Sequence, residues 1–181
     1  MTTAILLAAG RGSRLGSITN DRPKCLVKCG GRPIIEWQIE ALRGGGIERI
    51  VVVTGYCGDL LEEYGHRRVV NPDWAQTNMV KSLLCAAEEV TGPTVVSYSD
   101  IVYGPEPVRK LLASPHACAL TYDVDWLDLW RRRFDDPLSD AESLSLADDG
   151  RVLDIGRKHV GLAEICGQYM GLLKIDPKVL R

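Results

Sequence analysis

Short runs of apolar and β-branched residues alternate along the chain with segments in which apolar residues recur every three or four positions. The short runs predict buried strands, in chain order TAILLAA, RIVVVTG, RRVVN and TVVSYSD. The other segments predict helices, namely RPIIEWQIEAL, DLLEEYG and NMVKSLLCAAEEV. Strands that alternate with helices favour a mostly parallel sheet with right-handed crossovers and flanking helices.

The pattern changes after about Pro115. Two further strands are predicted in ACALTYDVDW and EICGQYMGLLKID, and a hairpin that turns at Asp-Asp-Gly is predicted in SLSLADDGRVLDIG. We therefore expect an α/β fold in which a mostly parallel central sheet is joined by a smaller region rich in β-hairpins. No repeat or low-complexity linker separates the two halves, so residues 1–181 are interpreted as a single domain.

Composition and charge narrow the class of protein. The formal charge is −2, so we expect no nucleic-acid partner, and any recognition of phosphate would depend on local clusters of Arg and Lys. The apolar runs are too short for membrane insertion, and the N-terminus lacks a signal-peptide pattern. Six cysteines without a Cys-x-x-Cys pair, beside only three histidines, favour reduced thiols in a cytoplasmic protein over a zinc site.

The segment LLAAGRGSRLG directly follows the first predicted strand and combines flexible backbone with positive charge. In open parallel sheets, ligands bind at the carboxyl ends of the strands. Gly10, Gly12 and Gly16 would let backbone N–H groups approach an anion closely, while Arg11 and Arg14 offer guanidinium donors that suit phosphate. The spacing matches neither the Walker motif nor G-x-G-x-x-G, so an ordinary surface turn stays open as the alternative.

Two residues outside this loop strengthen the phosphate hypothesis. Pro23 fixes the backbone just before Lys24, whose ammonium group suits a phosphoryl group as a point charge. Asp100 follows the strand TVVSYS, where a carboxylate can hold Mg²⁺ against phosphate oxygens. The alternatives are a solvated surface lysine and an aspartate that caps a turn or helix.

The segment LAAGRGSRLGSITNDRPKCLV resembles the signature of the nucleotidyltransferases with a glycosyltransferase-A-like fold, which join a nucleotide to a phosphorylated small molecule. The resemblance continues in GGRPIIEWQIEAL and at Asp100. Within that superfamily, the segments NPDWAQTNMVKSLLCA, SYSDIVY, RRRFDDPLSDAESL and EICGQYMGLLKI resemble the phosphocholine cytidylyltransferase-like branch more than the sugar enzymes. The implied fold is the Rossmann-like one of nucleotide-diphospho-sugar transferases.

The resemblance implies a Mg²⁺-dependent transfer of CMP from CTP to a small phosphorylated or phosphonylated acceptor, such as phosphocholine or aminoethylphosphonate, with release of pyrophosphate. The nucleotide-binding residues that it implies are Ala8, Ala9, Gly10, Arg11, Gly12, Arg14, Lys24, Asn78 and Ser82. The catalytic residues that it implies are Arg14, Lys24, Asp100 and Lys158, with Asp100 as the metal ligand.

The family places its acceptor pocket in the second half of the chain. There the candidates are Asp123, Trp126, Glu164 and Tyr169, because carboxylates and aromatic faces suit a cationic head group. The alternative for Trp126 is core or lid packing. Related enzymes carry a second acidic metal ligand near the C-terminus, and the last residues of this chain offer no equivalent, so we expect a domain truncated at that end.

Two other functions stay open at this point. The first is a sugar-1-phosphate nucleotidylyltransferase that uses UTP, dTTP or GTP. The second is a catalytically silent nucleotide-binding module, which the missing acidic ligand favours and which the presence of Arg14, Lys24 and Asp100 disfavours.

Overall fold

The computed structural model describes residues 1–180, which contain ten strands and four α-helices. The strands are β1 Thr3–Ala8, β2 Lys28–Cys29, β3 Arg32–Pro33, β4 Arg49–Thr54, β5 Arg67–Val70, β6 Thr94–Tyr98, β7 Cys118–Asp123, β8 Leu144–Leu146, β9 Val152–Ile155 and β10 Gln168–Ile175. The α-helices are α1 Ile34–Gly44, α2 Met79–Cys85, α3 Pro105–Ala113 and α4 Trp126–Arg133. Short 3-10 helices span Ser13–Thr19, Lys24–Leu26, Gly58–Leu61, Ala87–Glu89, Pro137–Ser139, Leu162–Glu164 and Pro177–Val179.

The described residues divide into two compact units. The first unit comprises residues 1–119 and the residues from 171 onward, and the second unit is Leu120–Met170. The interpretation of residues 1–181 as one domain stays a prediction, and each unit is described by itself below.

The main sheet has six strands in the order β5-β4-β1-β6-β10-β7. Strand β1 lies between β4 and β6 and runs parallel to both, with Leu6 paired to Val52 on one side and to Ser97 on the other. Strand β5 runs parallel to β4, whereas β10 is antiparallel to β6. The expected mostly parallel sheet is therefore confirmed, and the carboxyl ends of β1, β4 and β6 lie along one edge.

Strand β1 is buried along its whole length because both faces of the sheet are covered. Successive side chains of a strand point to opposite faces, so Leu6 packs with α1 and α3, while Ile5 packs with residues in and after α2. Leu6 shares a buried cluster with Leu42 of α1 and Val108 of α3, and Ile5 shares a second buried cluster with Ala86. Burial on both faces explains why these strands are continuous apolar runs rather than alternating ones.

Helix prediction was less accurate than strand prediction. The segment DLLEEYG forms only the 3-10 helix Gly58–Leu61, because a single buried anchor, Leu61, holds it and Gly65 (φ +80°) turns the chain into β5. Helix α2 ends at Cys85, earlier than predicted. Helix α3 was not predicted, and α4 begins at Trp126, inside a segment that was predicted as strand.

The second unit contains the predicted hairpin. Strands β8 and β9 pair antiparallel, and Gly150 turns between them at φ +80°. The buried side chains of this unit form their own cluster, which consists of Trp126, Ala141, Val160 and Ile165. The expectation of a region with β-hairpin character is therefore confirmed.

All six cysteines lie within residues 1–180 and are free thiols. Cys25 is 1% exposed, and burial raises the pKa of its thiol to about 12. It therefore behaves as a small hydrophobic side chain, whereas Cys29, Cys118 and Cys166 are exposed. No helix within residues 1–180 combines the length and the apolar character needed to cross a lipid bilayer.

The ion pairs of Glu89 with two arginines allow a test of the fold. This carboxylate is only 9% exposed, accepts a hydrogen bond from Arg49 of β4 at 2.5 Å and forms an ion pair with Arg67 of β5 at 2.6 Å. Glu89→Gln leaves two guanidinium groups without their counter-charge, so we expect the free energy of unfolding in urea to fall by about 2–3 kcal/mol. Glu88→Gln, at the exposed neighbour, is the matched control, with an expected change within about 0.5 kcal/mol. Equal effects of the two substitutions would contradict the structural role of this ion-pair network.

Candidate active site

The candidate site lies at the carboxyl edge of the sheet, where β1 and β6 end side by side. Leu7 of β1 pairs with Tyr98 of β6, and both strands end within a residue of this pair. The glycine- and arginine-rich segment continues from the end of β1, and Asp100 stands two residues beyond the end of β6. Parallel pairing therefore brings together two segments that are far apart in the sequence.

The segment after β1 is a folded loop rather than an extended one. Gly12 adopts a left-handed conformation, with φ +74° and ψ +45°, and begins the 3-10 helix Ser13–Thr19. Its carbonyl oxygen accepts from the N–H of Leu15 at 3.0 Å and from the hydroxyl of Thr19, a buried residue, at 3.2 Å. Gly16 interrupts the helix with φ +59°. The left-handed positions explain glycine at 12 and 16.

Lys24 packs directly on this loop. A Cβ atom added at Gly12 would lie 2.8 Å from the Cβ of Lys24 and 2.9 Å from its Cδ. Pro23 is extended (φ −68°, ψ 152°) and precedes the 3-10 helix that starts at Lys24, while buried Cys25 anchors the segment in the core. The stem of Lys24 therefore has a defined path across the glycine backbone.

The ammonium group of Lys24 donates to Asp100, with 2.7 Å between Nζ and Oδ2. The two side chains remain 26% and 34% exposed, so both charged groups are within reach of a ligand. A pair at this level of exposure contributes about 1 kcal/mol or less to stability. Its importance is geometric, because it places one cation and one carboxylate side by side at the edge of the sheet.

Arg11 and Arg14 are both exposed. The guanidinium of Arg11 donates to Oδ1 of Asn20 at 2.7 Å and lies 5.5 Å from the centre of the Tyr56 ring. The backbone N–H of Tyr56 donates to the carbonyl of Ala9 at 2.9 Å, and its hydroxyl donates to the carbonyl of Asn20. Tyr56 thus connects the loop after β4 to Ala9, inside the glycine- and arginine-rich segment, and to Asn20, beyond the end of that segment. Tyr56 lies outside the motifs from which the site residues were predicted.

Ala8 and Ala9 are buried at the end of β1, whereas Gly10 is exposed. Asn78 and Ser82 both have structural partners at the start of α2. The side-chain oxygen of Asn78 caps the helix by accepting from the N–H groups of residues 80 and 81, and the hydroxyl of Ser82 accepts from Nδ2 of Asn71 at 3.0 Å. Contacts of Asn78 and Ser82 with a base or ribose stay predictions.

The second unit holds Lys158 and the predicted acceptor residues. Lys158 forms an ion pair with Glu142, with 3.0 Å between Nζ and Oε1, and donates to the carbonyl of Asp140 at 3.1 Å. Glu164 accepts from Arg157 at 2.8 Å, and this hydrogen bond lowers the pKa of the Glu164 carboxyl below its usual value. Lys158 and Glu164 therefore each have a partner of opposite charge within this unit.

The remaining acceptor candidates differ in accessibility. Asp123 is partly exposed and accepts from the N–H of Asp125 at 2.9 Å, and Tyr169 is also partly exposed. Trp126 is 3% exposed and packs edge-to-face on Trp130, with ring centres 5.9 Å apart. The indole of Trp126 is therefore packed in a core, which is the alternative that the sequence left open. A contact between Trp126 and an acceptor stays a prediction.

Gly12 offers a test of the loop. Alanine there would combine backbone strain at φ +74° with overlap on the Lys24 stem, so we expect Gly12→Ala to lower the free energy of unfolding by about 2–3 kcal/mol. Gly31→Ala is the matched control, because its φ is +86° but no atom lies within 4 Å of the added Cβ. We expect about 1 kcal/mol for Gly31→Ala from strain alone. Equal losses in urea unfolding would show that the stem of Lys24 does not pack on Gly12.

Comparison with known proteins identifies the relatives of this chain. The sequence profile of the MobA-like NTP transferase domain matches residues 4–158. The CTP:phosphoglutamine cytidylyltransferase of Campylobacter jejuni is 39% identical over 188 residues, which cover 98% of this chain and 74% of that protein. The choline-phosphate cytidylyltransferase of Streptococcus pneumoniae is 38% identical over 104 residues, which cover 55% of this chain and 45% of the relative.

A solved structure gives the same result for the fold. The CTP:phosphocholine cytidylyltransferase from Streptococcus pneumoniae superposes with a TM-score of 0.66 and 26% identity, covering 97% of this chain and 71% of that one. The expected nucleotidyltransferase fold is therefore confirmed. Together with the profile match, it shows that the chain belongs to the family of MobA-like NTP transferase domains.

Proposed function

We propose that this chain transfers CMP from CTP to a small phosphorylated or phosphonylated acceptor and releases pyrophosphate. The observation that carries the proposal is the 2.7 Å contact between Lys24 and Asp100, which places a cation and a carboxylate side by side next to the glycine- and arginine-rich segment. The family match and the cytidylyltransferase relatives support CTP as the nucleotide.

The chemistry requires positioning more than acid–base catalysis. An oxygen of the acceptor's phosphate or phosphonate attacks the α-phosphorus of CTP, and the bond to pyrophosphate breaks. This oxygen is already ionised at neutral pH, so no strong general base is needed. The two anionic reactants repel each other by several kcal/mol unless cations lie between them. Fixed positive charge and fixed hydrogen-bond donors therefore supply most of the rate enhancement.

The first unit offers such groups at the edge of the sheet. Backbone N–H groups between Gly10 and Gly12 are proposed to hold the triphosphate, with Arg14 and Arg11 donating to its outer phosphates. Lys24 is proposed to bridge the α-phosphate and the incoming acceptor oxygen, where negative charge builds up. The buried packing of its stem on Gly12 supports this role, because a lysine held in one place needs little reorganisation.

Asp100 fits the requirements of Mg²⁺. This ion usually binds proteins through one or two carboxylates and takes its other ligands from substrate phosphates and water. Within residues 1–180, no cluster of three or more acidic, histidine or cysteine side chains could hold a metal by itself. Asp100 would therefore hold the ion together with the triphosphate, and the ion would neutralise the negative charge of the phosphates.

Acceptor binding is proposed for the second unit. Lys158 would meet the acceptor phosphate, and Asp123, Glu164 and Tyr169 would recognise the rest of the molecule. The ion pair of Lys158 with Glu142 is about half exposed on both sides, so its partners can be exchanged for those of a ligand. We also propose a cytoplasmic location, which the free thiols support.

A pyrophosphate-release assay tests the proposal. It crosses CTP, UTP, dTTP and GTP with phosphocholine, aminoethylphosphonate, phosphoglutamine and a sugar 1-phosphate. Turnover with CTP and a non-sugar acceptor is the expected result. Turnover with a sugar phosphate and another nucleotide would establish the alternative enzyme. Measurable CTP binding without turnover by any pair would identify a silent nucleotide-binding module.

The role of Lys24 is tested by substitution. Lys24→Met keeps an unbranched stem on Gly12 but removes the charge, so we expect kcat/KM for CTP to fall by about 10²–10³-fold. The matched control is Lys110→Met on α3, where the lysine is 75% exposed and pairs only with Glu106 among the described residues. The control is expected to keep the original rate. An unchanged rate in Lys24→Met would remove this residue from the site.

A further inference from the structure

Gln38 of α1 makes an unusual set of contacts beneath the candidate site. Its side chain is 0% exposed, and its Nε2 donates to the carbonyl of Tyr98 at 2.7 Å and to the carbonyl of Ile101 at 2.8 Å. These two carbonyls flank Ser99 and Asp100. One amide group therefore closes the turn that carries the carboxylate, from the buried side.

The oxygen of the same amide has no such partner. Oε1 of Gln38 is buried and accepts no hydrogen bond from any described residue. A buried polar atom without a partner is unfavourable, so an apolar side chain of similar size would suit this core position at least as well if packing were the whole requirement. The two donated hydrogen bonds are what an apolar side chain cannot supply.

The 98–101 turn is anchored from a second direction as well. The hydroxyl of Ser97 also donates to the carbonyl of Tyr98 at 2.9 Å, and it accepts from the hydroxyl of Tyr103 at 2.9 Å. Burial raises the pKa of Tyr103, so its hydroxyl stays a donor. On the Ile101 side of the turn, Gln38 is the side chain that holds the carbonyl. Loss of its amide would release the turn at that end, next to Asp100.

We infer that Gln38 is a positioning residue for Asp100, whose two hydrogen bonds to the 98–101 turn direct the carboxylate toward Lys24 and a metal-bound nucleotide. The inference rests on the proposed function for the identity of that ligand. Gln38 touches neither nucleotide nor metal. It acts through the backbone, in the way that groups behind a metal ligand commonly orient it.

Calorimetric titration with CTP separates positioning from general stability. Gln38→Met keeps the length of the side chain but removes both donors. We expect its affinity for CTP in the presence of Mg²⁺ to fall about tenfold, while its affinity for CTP in EDTA stays within about twofold of the original. Asp100→Asn is expected to give the same pattern, because Gln38 acts through Asp100.

The matched control is Leu42→Ala, one turn further along α1 and also 0% exposed. It destabilises the same helix without removing a hydrogen bond to the turn, so both of its CTP affinities are expected to stay within about twofold. A Gln38→Met protein in which the two affinities fall together, or in which neither falls, would overturn the inference.

A measurement on the unmodified protein covers the case in which Gln38→Met does not fold or CTP does not bind. The chain has three glutamines, so selective ¹⁵N labelling gives three side-chain amide signals. We expect the Nε2 protons of Gln38 to exchange with water at least about a hundredfold more slowly than those of exposed Gln76. Exchange as fast as that of Gln76 would disprove the anchoring whatever the nucleotide result. Failure to bind CTP together with slow exchange would refute the proposed function alone.

Discussion

The contact between the ammonium of Lys24 and the carboxylate of Asp100 joins residues that are 76 positions apart. It forms because β1 and β6 are neighbours and run parallel, so the segments that follow them leave the sheet at the same edge. An antiparallel arrangement of the same two strands would send these segments to opposite ends. The candidate site therefore depends first on the direction of strand pairing and only then on the chemistry of its side chains.

Both partners of this contact are held through neighbouring backbone. Lys24 lies on the backbone of Gly12, where a methyl group would overlap its stem. Asp100 lies on a turn whose flanking carbonyls, those of Tyr98 and Ile101, accept hydrogen bonds from Gln38. Each charged group also neutralises the other in the absence of ligand. Under the proposed function, a phosphate with its metal ion would replace both partners at once, because the phosphate would contact Lys24 and Asp100 would hold the metal.

Strands that are buried on both faces were predicted more accurately than helical segments held by a single buried residue. Strands β1, β4 and β6 were predicted because burial on both faces requires continuous apolar runs. The prediction of a helix in DLLEEYG was wrong because it depended on two leucines, and only Leu61 of these is buried. Helix α4 was missed although Trp126, Leu127 and Trp130 stand at helical spacing, because the strand predicted before it was extended through Trp126, three residues past the end of β7.

The sequence by itself determined the fold class and the family, because these depend on local pattern and on a dense motif, and the same family resemblance predicted Arg14, Lys24 and Asp100 as site residues. It also displayed a signal for Gln38, a polar residue on the apolar face of α1 between Ile35 and Leu42, without showing its purpose. Only the tertiary structure decided which groups meet: Lys24 with Asp100, Gln38 with the 98–101 turn, and the Trp126 ring with its own core. Those partners are distant along the chain, and strand order and packing bring them together, so no local pattern can specify them.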